Sequence, residues 1–204
     1  MTDAASATVR AYDLDAAAYA ANAPAVPESV RAAVRGLVEE LGAGARVLEV
    51  GSGGGRDAAL LEEHGLRVRR TDVTPAFVQL LRAQGHEADV LDPLTDDLSS
   101  DEGPYDAVWA NACLLHVARP DLPAVLTRLA ALTRRGGLLR VAVKEGDGEG
   151  WSTHGSIRGP RHFTYWRPDA LREVLVGAGW VDVSIVRVPG KGSEQWLEVV
   201  AVHG

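Results

Sequence analysis

The sequence predicts an α/β fold: a doubly wound, mostly parallel sheet with helices on both faces and a C-terminal antiparallel hairpin. Three observations predict it. Strand-like and helix-like segments alternate from Arg46 to Trp180, the order that builds a parallel sheet from crossover units. The glycine cluster Gly51-Ser52-Gly53-Gly54-Gly55 joins the first strand directly to a helix. Near the end, Pro189-Gly190-Lys191-Gly192 separates two largely apolar runs, which is a hairpin signal.

In chain order, residues 1–25 are rich in alanine, the best helix former. Tyr12 and Tyr19 share one face of that helix, which ends near Pro24 and Pro27. Ser29–Leu41 repeats Val30, Val34, Leu37, Val38 and Leu41 at helical period, and Gly42 and Gly44 stop it. Arg46–Val50 reads as a buried strand, Arg56–His64 as a helix capped by Gly65, and Leu66–Asp72 as a second strand. Pro75 opens a helix at the position where its missing N–H costs least, and Glu87–Leu91 is a short third strand closing on Asp92. The acidic stretch from Asp92 to Pro104 reads as a loop with some helix. Tyr105–Ala110 is a fourth strand, Leu122–Arg135 a helix ended by Gly136-Gly137, and Leu138–Val143 a fifth strand. Lys144–Trp166 reads as a long glycine-rich connection before the helix that Pro168 begins. Trp180–Val188 and Gln195–Val202 form the hairpin, adding one antiparallel strand at an edge.

The 204 residues suit one domain, at roughly 100–200 residues per domain. With 21 Lys and Arg against 28 Asp and Glu, the net charge is −7. That acidity argues against nucleic acid, which needs a basic footprint. The apolar runs fall short of the roughly 20 residues of a membrane helix. Met1–Arg10 lacks the basic and apolar regions of a secretory signal, so the expected location is cytoplasmic. A single cysteine, Cys113, excludes an intramolecular disulfide and a cysteine-cluster metal site.

The glycine turn lets a ligand approach the backbone where no Cβ blocks it. Two cofactors compete for it. Gly53-Gly54-Gly55-Arg56-Asp57-Ala58 can be fitted to G-x-G-x-x-A, the dinucleotide fingerprint, with Asp72 as the ribose acid. The alternative takes Glu49-Val50-Gly51-Ser52-Gly53-Gly54-Gly55 as one unit, with an acid beneath the loop. A carboxylate there opposes a pyrophosphate and suits a cation, such as an ammonium and a sulfonium. Charge sign therefore favours S-adenosylmethionine over a nicotinamide dinucleotide.

With these residues in place, the chain resembles a class I S-adenosylmethionine-dependent methyltransferase of the small stand-alone type, over roughly residues 10–203. Val47-Leu48-Glu49-Val50-Gly51-Ser52-Gly53-Gly54-Gly55 matches the first motif of that family. Tyr105-Asp106-Ala107-Val108-Trp109-Ala110-Asn111 resembles its fourth strand and exit, and Arg134-Arg135-Gly136-Gly137-Leu138-Leu139 its lead into the fifth. The resemblance implies a Rossmann-like, seven-stranded sheet. It also implies a helical lid over 1–42, a cofactor-binding core over 45–144, a substrate-side loop over 145–167 and a helix and hairpin over 168–204. It implies cofactor contacts from Tyr19, Glu49, Gly51, Ser52, Gly53, Arg56, Asp72, Val73, Asp92, Asn111 and His116. Within that set, Asp72 takes both ribose hydroxyls, Asp92 sits near the adenine amino group with Val90 and Leu91 against the ring, and Tyr12-Asp13 with Tyr19 covers the methionine end. Arg56 pairs with the methionine carboxylate or lies solvated on its helix. The alternative for Asp72 is a helix N-cap, a role that Thr74 before Pro75 serves equally well.

Ligands of open α/β sheets bind outside the carboxyl ends of the strands, so the substrate side falls to Asn111–His116 and Lys144–Trp166. Methyl transfer is an in-line displacement that needs a base only when the nucleophile keeps its proton. The candidates for that chemistry are His116, His154, His162 and Tyr165. The acid-free stretch His154–Arg167 holds Arg158, Arg161 and Arg167 among Phe163, Tyr165 and Trp166. It suggests an anionic or aromatic small-molecule substrate, or else an arginine-solvated packing surface. The expected reaction is methyl transfer to O or N of a small metabolite or natural-product intermediate, with no metal. An NAD(P)-dependent oxidoreductase and a non-catalytic adenosylmethionine-binding regulatory protein are the alternatives.

Overall fold

The computed structural model describes residues 2–155 and 157–204; Met1 and Ser156 lie outside the described residues. Two helices come first, α1 (Asp3–Ala21) and α2 (Glu28–Leu41). The parallel core follows as β1 (Arg46–Val50), α3 (Arg56–Glu63), β2 (Arg67–Asp72), α4 (Pro75–Ala83), β3 (Ala88–Val90), β4 (Tyr105–Asn111), α5 (Leu122–Leu132) and β5 (Thr133–Lys144). A two-stranded insert, β6 (Glu149–Ser152) and β7 (Arg161–Thr164), precedes α6 (Pro168–Gly177), β8 (Trp180–Pro189) and β9 (Gln195–His203).

The seven-stranded sheet has the order β3-β2-β1-β4-β5-β9-β8. β1 pairs in parallel with both β2 and β4, so strand order reverses between β1 and β4, the switch point at which such sheets bind ligands. Alternation along β1 sends Leu48 and Val50 to one face and Val47 to the other. On the first face they join a cluster with Leu126 and Leu129 of α5 and Leu171 and Leu175 of α6. On the second, Val47 packs with Val34 and Leu37 of α2, Leu60 and Leu61 of α3, and Trp109. Burying each such side chain contributes about 1.5–3 kcal/mol, which is why the cofactor-side loops sit on a rigid support.

Three expectations are corrected. The helix expected over Leu122–Arg135 stops at Leu132, and Thr133–Arg135 begin β5. There the Arg134 guanidinium holds Asp106 of β4 at 2.6 Å, and the pairing shifts register between Tyr105 and Ala107, so tertiary pairing overrides helical propensity. The connection expected over Lys144–Trp166 contains the β6–β7 ribbon, paired from Glu149–Thr164 to Ser152–Arg161. Finally, the antiparallel strand is not at the edge: β9 is inserted between β5 and β8. Among the described residues no helix is long and apolar enough to cross a membrane.

Candidate active site

A cleft opens at the carboxyl ends of β1, β2, β3 and β4. Its floor begins at Val50, Gly51 and Gly53, where the chain leaves β1. Gly51 has φ +74°, and a Cβ there would lie 2.3 Å from the Cβ of Cys113, so only glycine lets the β1 and β4 exits meet. Gly53 has φ +53° and nothing within 4 Å of an added Cβ, leaving its backbone open to the cleft. Ala112, a non-glycine residue at φ +57°, turns the chain out of β4 with its N–H held by the Ala142 carbonyl at 3.0 Å. Such left-handed conformations are uncommon outside glycine.

Asp72, at the end of β2, lines the cleft and is 6% exposed. Its carboxylate accepts from Gly53 N–H at 2.8 Å and Thr74 N–H at 2.7 Å, fixing it between the glycine loop and the start of α4. Burial raises its pKa, against those backbone donors. Val73 and Thr74 continue this wall, and Leu91, Asp92, Pro93 and Leu94 form the wall after β3. Asp92 accepts from Leu94 N–H at 2.9 Å. Val90, expected beside Leu91, is 44% exposed and does not line the cleft.

α1 forms the opposite side. Thr8, Tyr12 and Tyr19 face the cleft with Phe77 of α4, and the Tyr12 and Tyr19 rings meet edge-on at 5.7 Å. Below them His116 is fixed from both nitrogens. Its Nδ1 lies 2.7 Å from the His162 carbonyl, and its Nε2 lies 3.0 Å from the Tyr12 hydroxyl. A carbonyl only accepts, so Nδ1 carries the proton and Tyr12 donates to Nε2. Burial, aided by Arg161 and Lys144, pushes the His116 pKa down to about 4. Tyr12 was read from sequence only as part of the cover over the methionine end, and Thr8 was not singled out, because their partners His116 and His162 are more than a hundred residues away.

Beneath the loop, Glu49 and Ser52 are buried but do not line the cleft. Burial pushes Glu49 up to about 8, with Asp57 and Asp72 adding to the shift. Among the described residues, Glu49 Oε2 and Ser52 Oγ find no hydrogen-bond partner. Asn111 donates to Asp57 at 2.7 Å, and Arg56 holds Asp57 and the Pro24 carbonyl; neither side chain reaches the cleft. His154, His162 and Tyr165 also lie outside it. The His162 ring packs on Trp151 at 5.2 Å, and Tyr165 packs against the core. The arginines offered as an anion pocket are engaged elsewhere. Arg158 pairs with Asp15 at 2.5 Å, Arg167 with Asp147 and Glu145, and Arg161 donates to the His154 carbonyl.

A methyltransferase domain model matches residues 20–185 of this chain. The chain belongs to the methyltransferase domain family. The methyltransferase is 34% identical over 104 residues to the ubiquinone biosynthesis O-methyltransferase of Xylella fastidiosa (strain M23), a match over 48% of this chain and 42% of that relative. It thus spans less than half the length of the curated relatives it matches. Its fold is similar to that of the Burkholderia thailandensis 1,6-didemethyltoxoflavin-N1-methyltransferase, with TM-score 0.72, 24% identity, and coverage of 100% of this chain and 92% of that one. The DhpI structure in complex with SAH gives TM-score 0.77 at 23% identity, covering 98% and 97%. S-adenosylmethionine is the methyl donor of the family, and the residues present fit it. Asp72 offers a fixed carboxylate, the open backbone of Gly53 leaves a cradle that a Cβ would fill, and the orphaned Glu49 Oε2 favours a cation above it.

Proposed function

We propose that the methyltransferase moves a methyl group to O or N of a small, largely apolar metabolite or natural-product intermediate, with Asp72 as the residue that selects the donor. The observation that carries this reading is the pinned, buried Asp72 carboxylate facing the cleft at the β1–β4 switch point. S-adenosylmethionine, when bound, supplies a methyl group on a sulfonium that is already a good leaving group. Asp72 would take the ribose hydroxyls in charge-assisted hydrogen bonds, each contributing about 1.5–3 kcal/mol. Gly51 and Gly53 bring the backbone against the methionine end, Glu49 supplies negative charge beneath it, and Val73 and Leu91 flank the adenine with Asp92 at its rim. Tyr12 and Tyr19 cover the methionine end, making α1 a lid.

His116 holds Tyr12 in place rather than taking a proton, because its lone pair is already occupied and its imidazolium is disfavoured by burial, with Arg161 and Lys144 adding to the effect. The chain then works chiefly by orientation, the largest contribution open to an in-line displacement. The aromatic lining of Tyr12, Tyr19 and Phe77 supports an aromatic or apolar acceptor, and the paired arginines remove the support for an anionic one. The net charge of −7 supports a role without nucleic acid.

Calorimetry and thermal shift test the reading. S-adenosylmethionine and S-adenosylhomocysteine are expected to bind and raise Tm, NAD is not, and Asp72→Ala is expected to weaken S-adenosylhomocysteine by about tenfold or more. Stabilisation by NAD alone, or unchanged affinity in the variant, would overturn it.

A further inference from the structure

We propose that the acceptor is a small apolar amine, methylated at nitrogen, and that Asp121 holds its positive charge. This rests on reading the cleft as the methyl-transfer site.

Among the described residues no lysine or arginine lines the cleft, and three carboxylates do: Asp72, Asp92 and Asp121. Asp72 is committed to Gly53 and Thr74, and Asp92 to Leu94. Asp121 differs. It precedes α5 but makes no side-chain cap bond, and among the described residues its half-buried carboxylate has no hydrogen-bond or ion-pair partner. The lining it joins also includes His116, Val117 and Ala118, with Ala5 and Val9 of α1. The unspent charge therefore sits in a cleft lined mainly by apolar side chains. An anionic acceptor would add negative charge there with no cationic side chain among the described lining residues to offset it, which is unfavourable where water is scarce.

A neutral alcohol fares little better, because it must lose a proton and the one histidine lining the cleft already accepts from Tyr12. An ammonium must also lose a proton before it attacks, but it gives that proton to water far more readily than an alcohol does and needs no positioned base, so the neutral amine then becomes the nucleophile. Its lone pair forms the N–C bond as the C–S bond breaks, and the electron pair of that bond stays on sulfur. The positive charge passes from sulfur to nitrogen, and the product ammonium releases a proton to water. A cation enters and a cation leaves, so the carboxylates are never left facing an anion.

Ligand-observed NMR on the full chain, with and without saturating S-adenosylhomocysteine, tests this with three matched probes: phenethylamine, 2-phenylethanol and 3-phenylpropanoate. The amine is expected to bind about tenfold tighter than the alcohol, the scale of one charge-assisted hydrogen bond, and the carboxylate weakest. Asp121→Asn should erase that ranking and Asp121→Glu should keep it, with S-adenosylhomocysteine affinity unchanged in both as the check on folding. A carboxylate preference, or three probes that are indistinguishable or all silent, overturns the proposal. Loss of S-adenosylhomocysteine binding in the unmodified chain would instead overturn the methyl-transfer reading, a separate result.

Discussion

Gly51 and Gly53 share a loop and a positive φ, yet they answer to different constraints. At Gly51 a methyl group collides with the Cys113 side chain and must also adopt the left-handed conformation. Overpacking costs about 1–3 kcal/mol, and the left-handed backbone about 1–2 kcal/mol more. At Gly53 only the backbone term applies, but the added methyl points into open space beside the cleft. Gly51→Ala is therefore expected to lower Tm markedly, whereas Gly53→Ala should leave Tm within a few degrees and weaken S-adenosylhomocysteine more strongly. Urea unfolding and calorimetry on the two variants separate these outcomes. An equal stability loss in both would show that steric contact with Cys113 does not govern the loop.

α1 shows what an element can hide from its own sequence. Its alanine content made the helix legible, and the Tyr12–Tyr19 spacing marked one face. Nothing local marked Thr8 and Asp15, whose partners are His162 of β7 and Arg158 in the connection that leads into it. Thr8 Oγ1 accepts from His162 N–H at 2.9 Å, and Asp15 accepts from the Arg158 backbone and guanidinium at 2.5–2.8 Å. The ribbon itself was read as irregular because glycines interrupt it and its strands are four residues each. Asp72 and Glu49 were legible for the opposite reason: strand, glycine turn and helix are contiguous, so their roles follow from local order. Tyr12, His116 and Asp121 meet only through long-range packing. Asp15→Asn is expected to speed amide exchange across α1 and residues 157–162 while β1–β5 stay protected. Unchanged exchange in α1 would mean that apolar contacts alone hold it.

For the whole molecule, proton balance links the buried acid beneath the glycine loop to global stability. Glu49 is held at about 8, well above its usual 4.5. The folded state therefore binds this proton more tightly than the unfolded chain. Its contribution is fully present below about pH 4.5, and is lost as pH rises toward 8. Tm of the ligand-free protein should fall across that window relative to Glu49→Gln, which carries no titrating group there. A cationic ligand above Glu49 favours the ionised form, so its binding near pH 7 should release a proton, measurable as a buffer-dependent binding enthalpy. Parallel pH profiles for the two proteins would show that Glu49 is ionised throughout. The mostly parallel sheet and both helical layers were legible because hydrophobic period and turn chemistry agree along the chain. The place of β9 was not, since either end of a hairpin can pair with β5.

The Thr8, Tyr12 and Asp15 contacts lie along one stripe of α1, three and four residues apart. Each is a polar contact that water can replace, at a net cost of roughly 0.5–1.5 kcal/mol for a neutral pair. A cover fastened in this way resembles a hinged door more than a plug. On the proposed reading of α1 as a lid, lifting it trades these polar partners for water and uncovers the Tyr12 and Tyr19 rings packed on Phe77, so passage of small molecules and reclosure become a matter of local solvent exchange rather than of global unfolding.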